Sequence, residues 1–135
     1  RAIELAKIFD DYRSIRRVEM EIISDLSLLE NEVENIDLIV NCTPMGMDGT
    51  PNKEKLPIPS HWSLRGKTLF EMVYNPVETK FLKKGIEDGA VVISGIDMLI
   101  NQAASSFKIW FDIMPETSCI NDVKSIISKI QKNSK

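Results

Sequence analysis

Two cysteines, Cys42 and Cys119, stand far apart in this 135-residue chain, and the one histidine is His61. So few soft ligands, in no metal-like spacing, exclude a disulfide framework and a zinc site from the readings of the sequence, and a reducing cytoplasm fits. No apolar run is long enough to cross a bilayer, and no secretory or transit segment opens the sequence. There is no excess of positive charge: the formal net charge is −3, which gives no reason to expect a nucleic-acid partner. The basic clusters Arg13–Arg17 and Lys80–Lys84 are diluted by acids and read as solvated faces. With 43% hydrophobic and 27% charged residues, the chain has enough apolar material for a core, and its length points to one domain.

What is present alternates. From Arg1 to Tyr12, Ala2, Leu5, Ala6 and Phe9 recur at helical spacing, and Ser14–Glu19 reads as a short exposed or edge strand. Ser24 or Asp25 is placed to cap a brief helix running through Leu29 and Glu30. Three apolar runs, Asp37–Cys42, Thr68–Tyr74 and Ala90–Ser94, lack alternation and predict parallel strands covered on both faces. Between the first two lies Thr43–Leu64, rich in proline and glycine, which must be loop. Glu78–Ile86 predicts a helix closed by Gly85 or Gly89. In the next helix Leu99, Gln102, Ala103, Ser106, Phe107 and Trp110 form one stripe; in the last, Ile120, Val123, Ile127 and Ile130 form another. Strands alternating with helices predict an α/β fold, an open and mostly parallel sheet.

In such sheets ligands bind beyond the carboxyl ends of the strands. Three ends are legible here: Asn41-Cys42-Thr43-Pro44, Glu71 to Pro76, and Ser94 to Met98. Thr43-Pro44-Met45-Gly46 suits close approach of a cofactor to the main chain, or is a plain strand-to-loop turn. Glu71 sits in an apolar strand, where an unpaired carboxylate would be costly; it either accepts backbone N–H bonds, pairs with a lysine, or stays protonated. Tyr74 brings a ring with a polar tip. Gly95 permits close backbone approach, and Met98 either offers a soft surface beside it or is plain core. Gln102, on an apolar stripe, should be a buried amide in need of partners, from backbone, another helix or a bound polyol. His61 is expected in an exposed loop, and Cys42 as a small buried hydrophobe.

These residues fall into recognisable motifs. Asp37-Leu38-Ile39-Val40-Asn41-Cys42-Thr43-Pro44-Met45-Gly46-Met47, Met72-Val73-Tyr74-Asn75-Pro76-Val77-Glu78-Thr79 and Gly95-Ile96-Asp97-Met98-Leu99-Ile100-Asn101-Gln102-Ala103 resemble, in order and spacing, three elements of the shikimate dehydrogenase family. Phe107 and Trp110 follow as they do there, and Glu71 stands where the family usually has aspartate. The resemblance implies a Rossmann-like, doubly wound parallel sheet and reversible hydride transfer between 3-dehydroshikimate and shikimate with NADP. A quinate/shikimate dehydrogenase paralogue and a non-catalytic Rossmann-like binding module are the alternatives. It also implies roles: Thr43 and Met45 along the cofactor, Val73 lining the nicotinamide pocket, Gly95 offering its backbone to the carboxamide, Met98 and Leu99 near the ring, and Tyr74 and Gln102 holding the substrate.

The family's first strand, its glycine-rich phosphate loop, and the substrate domain with the catalytic lysine and aspartate have no counterpart in this sequence, and no Gly-x-Gly-x-x-Gly occurs. No catalytic residue and no metal ligand is therefore assigned. Residues 1–135 are expected to form an incomplete dinucleotide-binding domain lacking its first strands. Residues 96–132 are expected to be closing helices that pack on an N-terminal substrate domain. Either a longer chain or a second copy, as in a homodimer, would complete it.

Overall fold

The computed structural model describes residue 4 and residues 21–133. The expected helix over 1–12 and strand over 14–19 lie outside the described residues. The chain divides into two compact units, 1–32 and 33–135. In the first, Leu26–Leu29 form a single 3-10 turn rather than an α-helix. The Asp25 carboxylate caps it, accepting from the Ser27 N–H at 2.9 Å.

The second unit is built on three parallel strands, β1 (Leu38–Asn41), β2 (Thr68–Glu71) and β3 (Val91–Ile93), hydrogen-bonded in that order. The register sets Leu38, Thr68 and Val91 in one row and Asn41 beside Glu71 in the last. Each strand is shorter than the apolar run that encodes it. For β2 the cause is local: the N–H of Val73 is taken by the carboxylate of Glu71, two residues back, and is not available to a neighbouring strand. The loop between β1 and β2 is irregular throughout, as its prolines and glycines require.

Helix α1 (Lys80–Asp88) crosses from β2 back to β3. Thr79 caps its start, accepting from the Leu82 N–H, and Gly89 ends it in the left-handed conformation at φ 81°. Gly85 is interior to the helix and does not close it. A Cβ on Gly85 would lie 2.4 Å from Leu69 Cδ1 and 3.0 Å from Val92 Cγ1, so the bare glycine lets α1 settle onto the sheet. Phe81 and Leu82 are buried with it. This covers the face that carries Ile39, Leu69 and Val92.

The other face carries Leu38, Val40, Val91 and Ile93, all exposed, Val91 at 63%. The expectation of strands covered on both sides is thus corrected, because continuous apolar runs encode two faces whether or not both find cover in the same chain. Cys42 follows the same alternation. Asn41 is buried, so the next side chain turns the opposite way, and Cys42 is exposed rather than a small core residue.

Helix α2 (Gly95–Phe111) opens with a reciprocal cap between Ser94 and Asp97. Its buried residues are Gly95, Ile96, Ile100 and Ala104. The predicted stripe is therefore rotated: Leu99, Ala103 and Phe107 face a groove shared with α3 (Thr117–Asn133), while Gln102 and Trp110 are exposed. Apolar residues lie on nearly every side of α2, so helical period alone does not fix which side turns inward. Ile120, Val123 and Ile127 supply the α3 wall of the groove, and Ile130 lies exposed beyond it. An ion pair between Lys124 and Asp97 ties α3 to the first turn of α2.

Candidate functional site

The carboxyl ends of β1 and β2 are joined by two buried polar side chains in adjacent register positions. Asn41 donates from Nδ2 to Glu71 Oε1 at 2.8 Å and to the Met45 carbonyl at 3.1 Å. Its Oδ1 accepts from the Thr43 N–H at 3.0 Å and the Thr43 hydroxyl at 2.7 Å. The Thr43 hydroxyl in turn accepts from the Met45 N–H. One carboxamide thus shapes the turn from Thr43 to Met45.

Glu71 is fully buried. Besides Asn41 it accepts from the Val73 N–H at 3.0 Å and, at Oε2, from the Thr79 hydroxyl at 2.8 Å. No lysine pairs with it among its described partners; neutral donors carry the charge. Burial pushes its carboxyl above the ordinary carboxylate range, and the donors from Val73, Thr79 and Asn41 pull the other way without cancelling it. Thr79 closes the circuit, being the cap of α1 and the surface against which Gly46 packs: a Cβ on Gly46 would stand 3.1 Å from Thr79 Cβ. The smallness of Gly46 serves this internal contact.

The third strand end is fastened by main-chain contact. A Cβ on Gly95 would fall 2.2 Å from the Val73 carbonyl oxygen and 2.9 Å from the Tyr74 nitrogen. Only glycine lets the start of α2 lie against the Val73–Tyr74 backbone. The Asp48 N–H donates to the Asn75 carbonyl at 2.9 Å, adding a second tie between the first two strand ends. At the start of α2, burial pushes the Asp97 carboxyl up, but the Lys124 ammonium and the Ser94 donors together hold it below the usual carboxylate range.

Five of the eight residues singled out from the sequence lie at the joined strand ends, Thr43, Met45, Val73, Tyr74 and Gly95, and Met98 follows one turn along α2. Thr43 and Tyr74 are exposed, Met45 and Met98 half-buried, Val73 and Gly95 buried. Leu99 is turned into the α2–α3 groove. Gln102 departs from expectation most: it is exposed, not a buried amide, and seven residues along α2 from Gly95 it stands about 10 Å further along the axis. His61 is exposed in its loop, as expected. Among the described residues no group of three or more His, Cys, Asp or Glu is placed to hold a metal, and no helix is long and apolar enough to cross a membrane.

Sequence reasoning passed over Asn41 and Thr79, the two residues that connect Glu71 to the loops. Their signal was present. Asn41 is a polar residue ending an apolar strand, as Glu71 is, and Thr79 stands before a run with helical period.

Comparison with known proteins agrees with the motifs. A family profile described as "Shikimate 5'-dehydrogenase C-terminal domain" matches residues 95–123. A shikimate dehydrogenase (NADP(+)) of Methanococcus maripaludis is 43% identical over 103 residues, covering 76% of this chain and 36% of the relative. A solved shikimate dehydrogenase in complex with NADP+ superposes with a TM-score of 0.60 at 34% identity, over 70% of this chain and 32% of that one. The quinate dehydrogenase of Corynebacterium glutamicum, in complex with NAD, gives a TM-score of 0.69 at 25% identity, over 87% of this chain and 40% of its own. The chain spans less than half the length of these relatives. With a parallel α/β sheet of Rossmann-like kind, three motifs at the three strand ends and shikimate dehydrogenases at 43% and 34% identity, the chain belongs to the shikimate dehydrogenase family.

Proposed function

We propose that this chain forms the nicotinamide side of the cleft in an oxidoreductase that interconverts 3-dehydroshikimate and shikimate with NADP(H). The observation that carries the reading is the rim itself, three strand ends locked together with Thr43 and Tyr74 left exposed on it. NADP, when bound, takes or supplies the hydride; the protein's work is positioning. The residues present fit the ring end of such a cofactor. Gly95 leaves no side chain between the start of α2 and the Val73 backbone, and Met45 and Met98 offer soft, half-buried surface beside it. In this reading Thr43 and Met45 lie along the cofactor, Val73 and Gly95 form the wall and backbone contact at the nicotinamide, Met98 and Leu99 pack near the ring, and Tyr74 and Gln102 hold the substrate.

Residues 1–135 then act as part of a dinucleotide-binding domain, and 96–132 as helices closing on an N-terminal substrate domain, in a cytoplasmic, homodimeric enzyme. Support for the closing role comes from α2 and the residues after it, where Ile109 is 81% and Trp110 74% exposed, with Phe111 and Ile113 exposed beside them. So much apolar surface in one place favours cover by another domain. The similarity to a quinate dehydrogenase bound to NAD supports a second reading, a related ring acid with NAD as cofactor.

Steady-state kinetics on the full-length protein decide between them. The first reading expects reduction of 3-dehydroshikimate with NADPH, and Tyr74→Phe or Gln102→Ala raising the KM for shikimate about tenfold through loss of one hydrogen bond to an anionic substrate. Faster turnover of quinate with NAD would favour the second. No turnover on either substrate, with no effect of either substitution, would leave a binding module.

A further inference from the structure

We infer that Asn41 and Glu71 are positioning residues for cofactor binding, a buried carboxamide–carboxylate pair that holds the Thr43–Met45 turn and the Val73 wall in one fixed relation. The inference rests on the reading of the rim as a dinucleotide site, and it adds two residues that touch neither cofactor nor substrate in that reading.

The geometry leaves the pair little freedom. All four hydrogen bonds of the Asn41 side chain are committed: two donated, to Glu71 and the Met45 carbonyl, and two accepted from Thr43. Glu71 Oε1 receives both Asn41 and the Val73 N–H, so one oxygen atom fixes the distance between the two strand ends. Its other oxygen holds Thr79, against which Gly46 packs. A displacement of either strand end would break bonds at the buried Glu71 carboxylate, where an unmade hydrogen bond is costly. Thr43 is exposed although both its N–H and its hydroxyl are directed inward to Asn41. The turn is therefore shaped from beneath, with its outer surface left open for a ligand. Among the described residues the carboxylate also gains no ion pair, and a buried charge held by neutral donors is a poor choice for stability alone. Its value lies in accepting three donors from three different segments at once, which no uncharged side chain does as well.

The test uses Asn41→Ala in the full-length protein, with two independent readouts. Hydrogen exchange should speed up by about tenfold or more at the amides of Thr43 and Met45 while the amides of α1 keep their protection, since the opening is local. NADPH affinity, followed by fluorescence titration, should weaken about tenfold, while the KM for the ring acid at saturating cofactor stays within about twofold. Unchanged exchange at Thr43 and Met45 overturns the inference whatever the cofactor does. Equal loss of cofactor and ring-acid binding, with exchange faster throughout, also overturns it, since that is general destabilisation. If the wild-type protein does not bind NADPH, the reading of the site fails, and the exchange experiment still decides whether the pair holds the turn. Should the alanine variant not fold, Asn41→Ser keeps a polar group in the same space and is expected to show the same asymmetry. Glu71→Gln, which preserves an acceptor oxygen for both Asn41 and Val73, should restore most of the affinity lost in Glu71→Ala; failure to do so counts against a positioning role.

Discussion

The two ends of β2 each bury a charged side chain, and they do so for different ends. At the amino end Lys67 is buried and donates to two carbonyls, Ile36 at 2.9 Å and Glu34 at 3.4 Å, both in the short turn before β1. At the carboxyl end Glu71 accepts from Asn41, Val73 and Thr79, drawn from three segments. Neither finds an opposite charge among these partners. Lys67 fastens one neighbouring turn to an edge that main-chain bonds already hold, the Thr68 N–H to Asp37 and the Val91 N–H to Lys67 itself. Glu71 is the junction on which the loops of the candidate site converge. The lesson is that burial of a charge does not by itself mark function; the number of separate segments it organises does.

Removing the two charges should therefore have unequal consequences. Glu71→Leu leaves the Val73 N–H without an acceptor and takes one partner each from Asn41 and Thr79, in a region closed to water. At roughly 1–3 kcal/mol for each unsatisfied buried group, partly relieved by the bonds Asn41 and Thr79 retain, a loss of about 3 kcal/mol or more is expected. Urea denaturation would show it as a lowered midpoint at unchanged slope. Lys67→Met keeps the alkyl stem and removes only the ammonium. Glu34 is exposed and Ile36 half-buried, so water can reach both released carbonyls, and the loss should stay near 1 kcal/mol. NADPH affinity of the full-length protein should fall in the first variant and hold in the second. Equal effects at the two ends would erase the distinction.

The same contrast explains what could be read from the sequence. The parallel α/β class follows from apolar runs without alternation, interspersed with helical patterns, because period and turn residues are local signals. The rim was legible because its residues follow directly on those runs. Two things were not. Which side of α2 turns inward depends on competition between Ile96, Ile100 and Ala104 and the equally apolar Leu99, Ala103 and Phe107, so the helical period points Gln102 inward although it is exposed. Continuous apolar runs also encode two buried faces, whereas the described residues cover only one, leaving Leu38, Val40 and Cys42 exposed. Both departures concern long-range cover, which neither period nor propensity specifies. Lys67, the other surprise, looks like any surface lysine beside a glycine until its strand is seated.

The subtlest expected effect concerns protons at the functional end. Burial raises the Glu71 carboxyl in the folded protein above its ordinary value of 4.5, in spite of its three donors. Between that value and the raised one, the native state keeps a proton that the unfolded chain has released. The unfolded state then binds fewer protons, so stability falls as pH rises through this window and levels off above it. Glu71→Gln cannot titrate and keeps one acceptor oxygen, so it serves as the reference. The stability of wild type minus that of Glu71→Gln, from urea curves at a series of pH values, should be greatest below pH 4.5 and decline through the folded pKa. A difference that grows with pH instead would mean that the donors outweigh burial and the folded state prefers the carboxylate. Glu71 would then be a charge the fold welcomes, and the contrast with Lys67 would rest on the number of segments held and no longer on the cost of holding them.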